Sequence, residues 1–290
     1  MLEIPLLYKD RRLEGETTLR QCQLVQLHLL YVFDAICKEY DLTYFLGGGT
    51  LLGAMRHGGF IPWDDDLDVG MPMKDYKKFL KIAPKVLPKD VLLQTPITKP
   101  CGITPFSKLR DCYSFYYEVD STSRTNEFAG IFIDIFPYEE MPNLGKSLVN
   151  YMRERIYFYW IGSKAYLWPN RNNYLEILIR LIKGMVRKLQ YRVFRAFFAL
   201  SVRICPSGDV ALILESGFKC TYQKNMIYPT SYAMFEGKQF PIPNDSEAFL
   251  TAQYGNWQEI PPPEKRPRHT SFICPFNAQD LPESRYYPIK

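Results

Sequence analysis

The alternation of apolar and polar residues divides the chain into a succession of helices and strands. Between Thr17 and Tyr40 apolar residues return at helical spacing, Leu19, Leu27, Leu30 and Ile36 among them, and predict one long helix. The short apolar run Tyr44, Phe45, Leu46 ends in Gly47, Gly48, Gly49 and Thr50, after which Leu51, Leu52 and Met55 resume helical spacing. Arg56 and His57 close that helix, and Gly58 and Gly59 stop it. The order is strand, glycine turn, helix. Beyond it, Asp66-Leu67-Asp68-Val69 alternates carboxylates with aliphatics, the period of a half-buried strand. Met73 to Leu87 reads as a helix with Pro88 past its end, and Val91 to Gln94 and Thr104 to Tyr117 alternate as strands. Ile131 to Phe136 is an apolar strand-forming run that Pro137 is expected to end, leaving Glu139 and Glu140 as surface charges in a loop.

Residues 146–205 are helical in pattern. Between Leu178 and Leu200 a helical wheel collects Leu178, Ile182, Met185, Leu189, Val193 and Leu200 on one side, and Arg180, Lys183, Arg187, Arg192 and Arg195 on the other. The favoured arrangement caps the core with the apolar side and leaves the charged side wet; contact with anionic lipid headgroups is the alternative. Toward the C-terminus, Phe235, Phe240 and Ile242 around Gly237 predict a hairpin within Tyr228 to Pro243. Asp245 or Ser246 then caps a helix through Ala248, Phe249 and Tyr254 that Gly255 ends.

With 290 residues, 47% of them hydrophobic, the chain can bury a large core. A net charge of +5 is too small to imply a nucleic-acid binder, and it agrees with anionic substrates or an anionic membrane surface. Cys22, Cys37, Cys101, Cys112, Cys205, Cys220 and Cys274 show no C-x-x-C spacing, and their odd number favours a reduced, cytoplasmic location in which they fill the core. The start, MLEIPLLYKDRRLEG, has none of the features of a signal peptide, and no uncharged run approaches the eighteen or so residues of a spanning helix. The chain is therefore read as one unit of α+β class: a core of about 17–142 with a mixed β-sheet flanked by helices, a helical insertion of about 146–205, and a C-terminal completion of about 206–290.

The chemistry concentrates in four aspartates, Asp64, Asp65, Asp66 and Asp68, set between apolar neighbours. On a strand, Asp66 and Asp68 share a face about 6.5 Å apart, and their repulsion at an effective dielectric near 20 is roughly 2.5 kcal/mol. A divalent cation would turn that cost into a binding site. Asp134 is the only polar residue in Ile131 to Phe136, where a lone carboxylate is costly unless paired or metal-bound, and it is the natural third ligand. Gly48, Gly49 and Thr50 open a helix and are placed to cradle phosphates, with Arg56 supporting the charge. Lys108 and Arg110 share a strand face. The stiff loop Pro261 to Pro263 delivers Lys265, Arg266, Arg268 and His269, a set suited to a pyrophosphate.

The stretch GGGTLLGAMRHGGFIPWDDDLDVGMP, Gly47 to Pro72, resembles the signature of the LicD family, phosphotransferases that include bacterial phosphocholine transferases and resemble the fukutin group. The resemblance continues through KLRD at Lys108 to Asp111, GIFIDIFPYEEMP at Gly130 to Pro142 and the segment Phe235 to His269, about two-thirds of the chain in order. It implies a nucleotidyltransferase-like core, in which a glycine turn precedes an Asp-x-Asp strand and a third carboxylate sits on a neighbouring strand. It also implies that Asp66, Asp68 and Asp134 hold one or two Mg2+ (or Mn2+) ions, with Lys108 and Arg110 beside the site and Asp64 and Asp65 in supporting positions. The implied donor is CDP-choline or a similar conjugate. The implied acceptor is a hydroxyl of a teichoic-acid or lipopolysaccharide-type glycan, free or lipid-linked, handled at the inner face of the membrane without nucleic acid. Two other readings use the same residues: a nucleotidyltransferase that moves the nucleotide itself, and a non-catalytic membrane-associated glycan-binding protein.

Overall fold

The computed structural model describes residues 10–95, 105–118, 130–163, 174–212, 220–266 and 269–276. Helix α1 (Thr18–Glu39) starts where the Thr17 hydroxyl accepts the Arg20 amide at 3.1 Å, and it is buried on all sides from Cys22 to Asp34. Strand β1 (Phe45–Leu46) runs through Gly47 into α2 (Gly48–His57), which ends at Gly58 in the left-handed region at φ 68°. Then come β2 (Asp68–Pro72), α3 (Met73–Val86), β3 (Val91–Gln94), β4 (Ser107–Asp111), β5 (Phe115–Glu118) and β6 (Phe132–Pro142). Helices α4 (Lys146–Gly162) and α5 (Tyr174–Ile204) precede β7 (Pro206–Leu212), β8 (Tyr222–Gln223) and the short α6 (Lys224–Ile227). The hairpin β9 (Ser231–Phe235) and β10 (Lys238–Ile242), α7 (Ser246–Tyr254) and β11 (Thr270–Cys274) complete an α+β protein.

The chain divides into two compact units, one made of Met1–Pro137 with Asn225–Lys290 and the other of Tyr138–Lys224. In the first, the sheet runs β1-β2-β6-β4-β3. Antiparallel registers set Leu46 opposite Val69, Lys108 opposite Asp134 and Arg110 opposite Leu92. Its core is aromatic: Phe33 meets Tyr44 and Phe79 at 5.0 and 5.1 Å, and Phe60 meets Phe235 at 4.9 Å. The β9–β10 hairpin turns on Glu236 and Gly237, both at positive φ, the backbone that a two-residue hairpin loop requires. The Glu236 carboxylate accepts two bonds from Arg20 at 3.1 and 2.5 Å and one from the Phe60 amide at 3.2 Å, tying the hairpin to α1 and to the approach of the acidic run. In the second unit Tyr138 to Pro142 pairs with β7, β7 pairs with β8, and Met141, Met152, Ile156, Phe198 and Ala211 form the core.

Several sequence expectations are corrected. Pro137 does not end its strand: β6 runs on to Pro142, and the proline sits between the last pair with β4, Ile135 to Ser107, and the first with β7, Tyr138 to Leu212. A residue without an amide proton costs little where the strand changes partner. Glu139 and Glu140 are consequently strand residues, paired with Arg195 at 2.8 Å and with Lys224. The stretch read as one strand to Tyr117 is two strands in different sheets, because Cys112 and Tyr113 turn between them while the Tyr113 amide donates to Asp111 at 3.0 Å; Thr104 lies outside the described residues. Cys22, Cys37 and Cys274 are buried, but Cys205 is exposed and fills no core; Cys101 lies outside the described residues.

Candidate active site

The acidic turn is held from behind by α1. The Gln23 side-chain amide donates to the carbonyls of Ile61 at 3.3 Å and Asp64 at 3.0 Å, and that of the fully buried Gln26 donates to the Asp65 carbonyl at 2.7 Å. These bonds pair three carbonyls of the turn with side chains of α1. Strand β2 begins only at Asp68, so Asp66 lies on the turn ahead of it, while Leu67 and Val69 are fully buried as the alternation requires.

The glycines of α2 stand against these carboxylates. Gly48 has φ +50°, and a Cβ there would collide with an Asp68 carboxylate oxygen; a Cβ on Gly49 would lie 2.7 Å from an oxygen of Asp64. The Thr50 hydroxyl accepts the Asp68 amide at 2.8 Å. The anion-favouring end of α2 thus faces protein carboxylates. Across the sheet the Asp134 amide donates to the Leu67 carbonyl at 2.8 Å, and the Asp134 carboxylate is in electrostatic reach of Asp68. Lys108, 1% exposed, reaches the two Asp134 oxygens at 3.0 and 3.4 Å and lies 3.4 Å from the centroid of the Phe132 ring. Packing on that ring fixes the ammonium in place.

Among the described residues the ligand atoms that gather closely are those of the acidic run and His269, without Asp68 or Asp134. Asp64, Asp65, Asp66 and His269 each present a ligand atom within 4.8 Å of the others. His269 Nδ1 lies 3.0 Å from Asp65 and 3.3 Å from Asp66, and Asp65 also accepts the amides of His269 at 3.3 Å and Thr270 at 3.2 Å. Asp65 therefore fastens the start of β11 to the acidic turn.

Burial and mutual repulsion govern the charges. Asp68 is held well above the carboxylate range by burial and then by Asp66, Asp134 and Asp64. Asp64 is pushed up to about 8 by burial and by Asp66, with which it shares a hydrogen bond. Burial raises Asp66 as well, against the pull of His269. The hydrogen bond to Asp65 raises His269 to about 9, overcoming its own burial. Asp64, Asp65 and Asp66 thus gather around His269, with Asp68 and the Lys108-paired Asp134 acting on them electrostatically, a set of oxygens that suits a hard divalent ion.

These shifts carry a pH dependence. His269 holds its proton up to about 9 in the folded chain and to 6.5 unfolded, so its stabilisation is complete below 6.5 and is lost as pH rises through about 9. Asp64 holds a proton up to about 8 when folded against 3.8 unfolded, so its ionisation also destabilises the fold as pH rises toward 8. Both groups bind more protons in the folded state between pH 6.5 and 8, and the two effects add. Thermal melts of metal-free protein should show Tm falling across that window, more shallowly in His269→Gln, with added divalent ion restoring most at the alkaline end. A flat or rising profile would contradict the assignment.

The remaining cations are placed differently. Arg56 acts on Asp64 through space, but its guanidinium donates to the carbonyls of Trp257 at 2.8 Å and Glu259 at 3.1 Å. Arg110 shares the Lys108 face, yet it bonds Gln94 at 2.5 Å and the Gly130 carbonyl at 2.7 Å. Arg266 lies 3.8 Å from the centroid of the Trp63 ring, next to the acidic run; Arg268 lies outside the described residues. Sequence reasoning gave no part to Gln23 and Gln26, whose signal is two amides on a helix buried all round, and it gave Asp64 and Asp65 only supporting places.

A family model described as LicD/FKTN/FKRP, nucleotidyltransferase domain, matches residues 41–160, which contain the glycine turn, the acidic run, Lys108 and Asp134. The chain is similar to the lipopolysaccharide cholinephosphotransferase LicD of Haemophilus influenzae, 31% identical over 259 residues that make up 87% of this chain and 96% of that protein. It is also similar to the ribitol 5-phosphate transferase FKRP of Mus musculus and of Homo sapiens, in each case 59% identical over 40 residues, 14% of this chain and 8% of that protein.

Proposed function

We propose, from the premise that this chain belongs to the LicD family of phosphotransferases, that it moves a phosphocholine-type group from a CDP-linked donor to a hydroxyl of a cell-surface glycan of lipopolysaccharide or teichoic-acid type. The observation that supports the reading is the gathering of ligand atoms of Asp64, Asp65 and Asp66 within 4.8 Å of one another, with Asp68 in electrostatic reach of Asp66 and Asp134 and with Lys108 paired to Asp134, all inside the segment that the family model matches.

Asp66, Asp68 and Asp134 would hold Mg2+ or Mn2+, which when bound neutralises phosphate charge and acts as a Lewis acid on the transferred group. The protein's own part is positional and electrostatic. Lys108 orients Asp134, and Thr50 fixes the Asp68 backbone. His269, charged at neutral pH, and Arg266 are suited to the donor pyrophosphate, while Gly48 and Gly49 leave room for the Asp68 and Asp64 carboxylates against the α2 N-terminus. Arg56 and Arg110, committed to carbonyls and to Gln94, act by shaping the walls of the site. One of the carboxylates Asp66, Asp68 and Asp134 takes the proton of the attacking hydroxyl. A CDP-linked donor places the reaction on the cytoplasmic side of the membrane, with a free or lipid-linked glycan as acceptor.

The test is to incubate purified protein and Mg2+ with CDP-choline, CDP-ethanolamine and a CDP-linked ribitol, each labelled in either half, with and without candidate glycans. The expected result is CMP release with the headgroup phosphate appearing on the glycan, CDP-choline being the preferred donor. Label from the nucleotide half on the acceptor would replace this reading with nucleotidyl transfer. The similarity to the ribitol 5-phosphate transferase is the reason for the third donor.

A further inference from the structure

The face of α5 that the sequence pattern would turn to the core is the face the fold leaves in solvent. Phe198 is 1% exposed, and Tyr191, Phe194 and Val202 are half-buried around it against Met152 and Ile156. Phe194 meets Tyr159 at 5.2 Å, and the Arg187 guanidinium lies over the rings of Phe158 and Tyr159 at 4.7 and 5.4 Å. One side of α5 is therefore fully engaged with α4. On the opposite side Ile182, Met185, Leu189, Val193, Leu200 and Ile204 are 48% to 67% exposed and, at 3.6 residues per turn, line up as one stripe.

The charge pattern says what such a stripe meets. The 31 residues of α5 hold seven Lys and Arg and a single acid, Glu176. Lys188, Arg192 and Arg203 are exposed along one edge of the stripe, and Lys183 is exposed toward the other. A second copy of the chain packed on this face would bring like charges together with almost no acid to pair them. The helix is about 46 Å long, yet no described helix is apolar enough to cross a membrane. A long helix with an apolar stripe bordered by cations, too charged to span, is built to lie in the plane of an anionic lipid surface, with aliphatic side chains among the acyl chains and Lys and Arg at the phosphates.

We propose that the exposed stripe of α5 docks the protein on an anionic phospholipid membrane. This does not depend on which group is transferred. The full chain is sedimented with vesicles of phosphatidylglycerol mixed into phosphatidylcholine, and with vesicles of phosphatidylcholine alone. Binding is expected on the anionic vesicles, about tenfold weaker on the neutral ones and falling with salt. The double variant Lys188→Glu/Arg192→Glu should lose about tenfold, and Met185→Asp/Leu189→Asp at least as much, because each puts charge into the lipid contact. Both pairs are exposed, so Tm should hold, and an environment-sensitive fluorophore on Met185→Cys should shift to the blue on anionic vesicles alone. The proposal is overturned by absence of binding to anionic vesicles, by variants that bind as well as the parent, or by self-association that the same variants abolish.

Discussion

Replacing Asp68 by Asn should reduce CMP release on the order of 10³-fold, the scale on which loss of a metal or of an oriented charge acts on phosphoryl transfer. The substitution keeps the shape of the side chain and removes its charge. Burial beside Asp66, Asp134 and Asp64 holds Asp68 well above the carboxylate range, so the metal-free fold has to protonate it, and Asn removes that cost. Tm of the metal-free variant should therefore equal or exceed that of the parent, while the rise in Tm on adding Mg2+ shrinks or vanishes. Chelator should abolish the activity of the parent protein to the same extent. This division separates a working carboxylate from a structural one, for which activity and Tm would fall together. A variant that keeps a tenth of the activity, or a parent that works in chelator, would sink the assignment.

The second large effect is on stability and lies away from the acidic cluster. Arg12 bonds Asp111 at 2.5 and 3.2 Å and the Pro275 carbonyl at 2.6 Å, and its side chain is 8% exposed against 1% for Asp111. Asp111 also accepts the Tyr113 amide at the turn between β4 and β5. Three distant stretches of the first unit, the turn Arg12–Glu14, the end of β4 and the residues after β11, meet at this pair. Asp111→Ala leaves the buried guanidinium with Asp10 at 2.6 Å and the Pro275 carbonyl as its partners and should cost about 2 to 3 kcal/mol, which in a unit of this size lowers Tm by roughly 5 to 10 °C. Arg12→Met/Asp111→Leu should recover much of that loss, because burying two apolar groups avoids the desolvation of two ions. Urea midpoints for the single and double variants decide it: a single-variant cost under about 1 kcal/mol would show the pair to be solvated.

Several parts of this site could be read before any coordinates. The Asp66-Leu67-Asp68-Val69 alternation marked carboxylates on one side and buried aliphatics on the other, and Leu67 and Val69 are indeed fully buried. Asp134 stood out as one acid in a run of apolar strand formers, and it lies beside Asp68 and against Lys108. The glycines of Gly47 to Gly49 announced a close approach. What approaches them, the carboxylates of Asp68 and Asp64, was not legible, since residues nearly twenty positions apart carry no mark of their contact. The same holds for His269, which reaches Asp65 and Asp66 from about two hundred positions away, and for Gln23 and Gln26, which look like ordinary helix residues until the acidic turn lies across them.

The sequence by itself determined the elements from α1 to β4, the β9–β10 hairpin and α7, the α+β class and the acidic signature, because side-chain periodicity and glycine conformation are local properties that each segment carries with it. It also supplied the two faces of α5. Which face is buried, which cation neutralises which carboxylate and where β6 changes partner were decided only by the tertiary structure. Burial and ion pairing are set by what lies across a few ångströms of space, and the chain order of Lys108, Asp134 and His269 says nothing of that distance until strands and helices have packed.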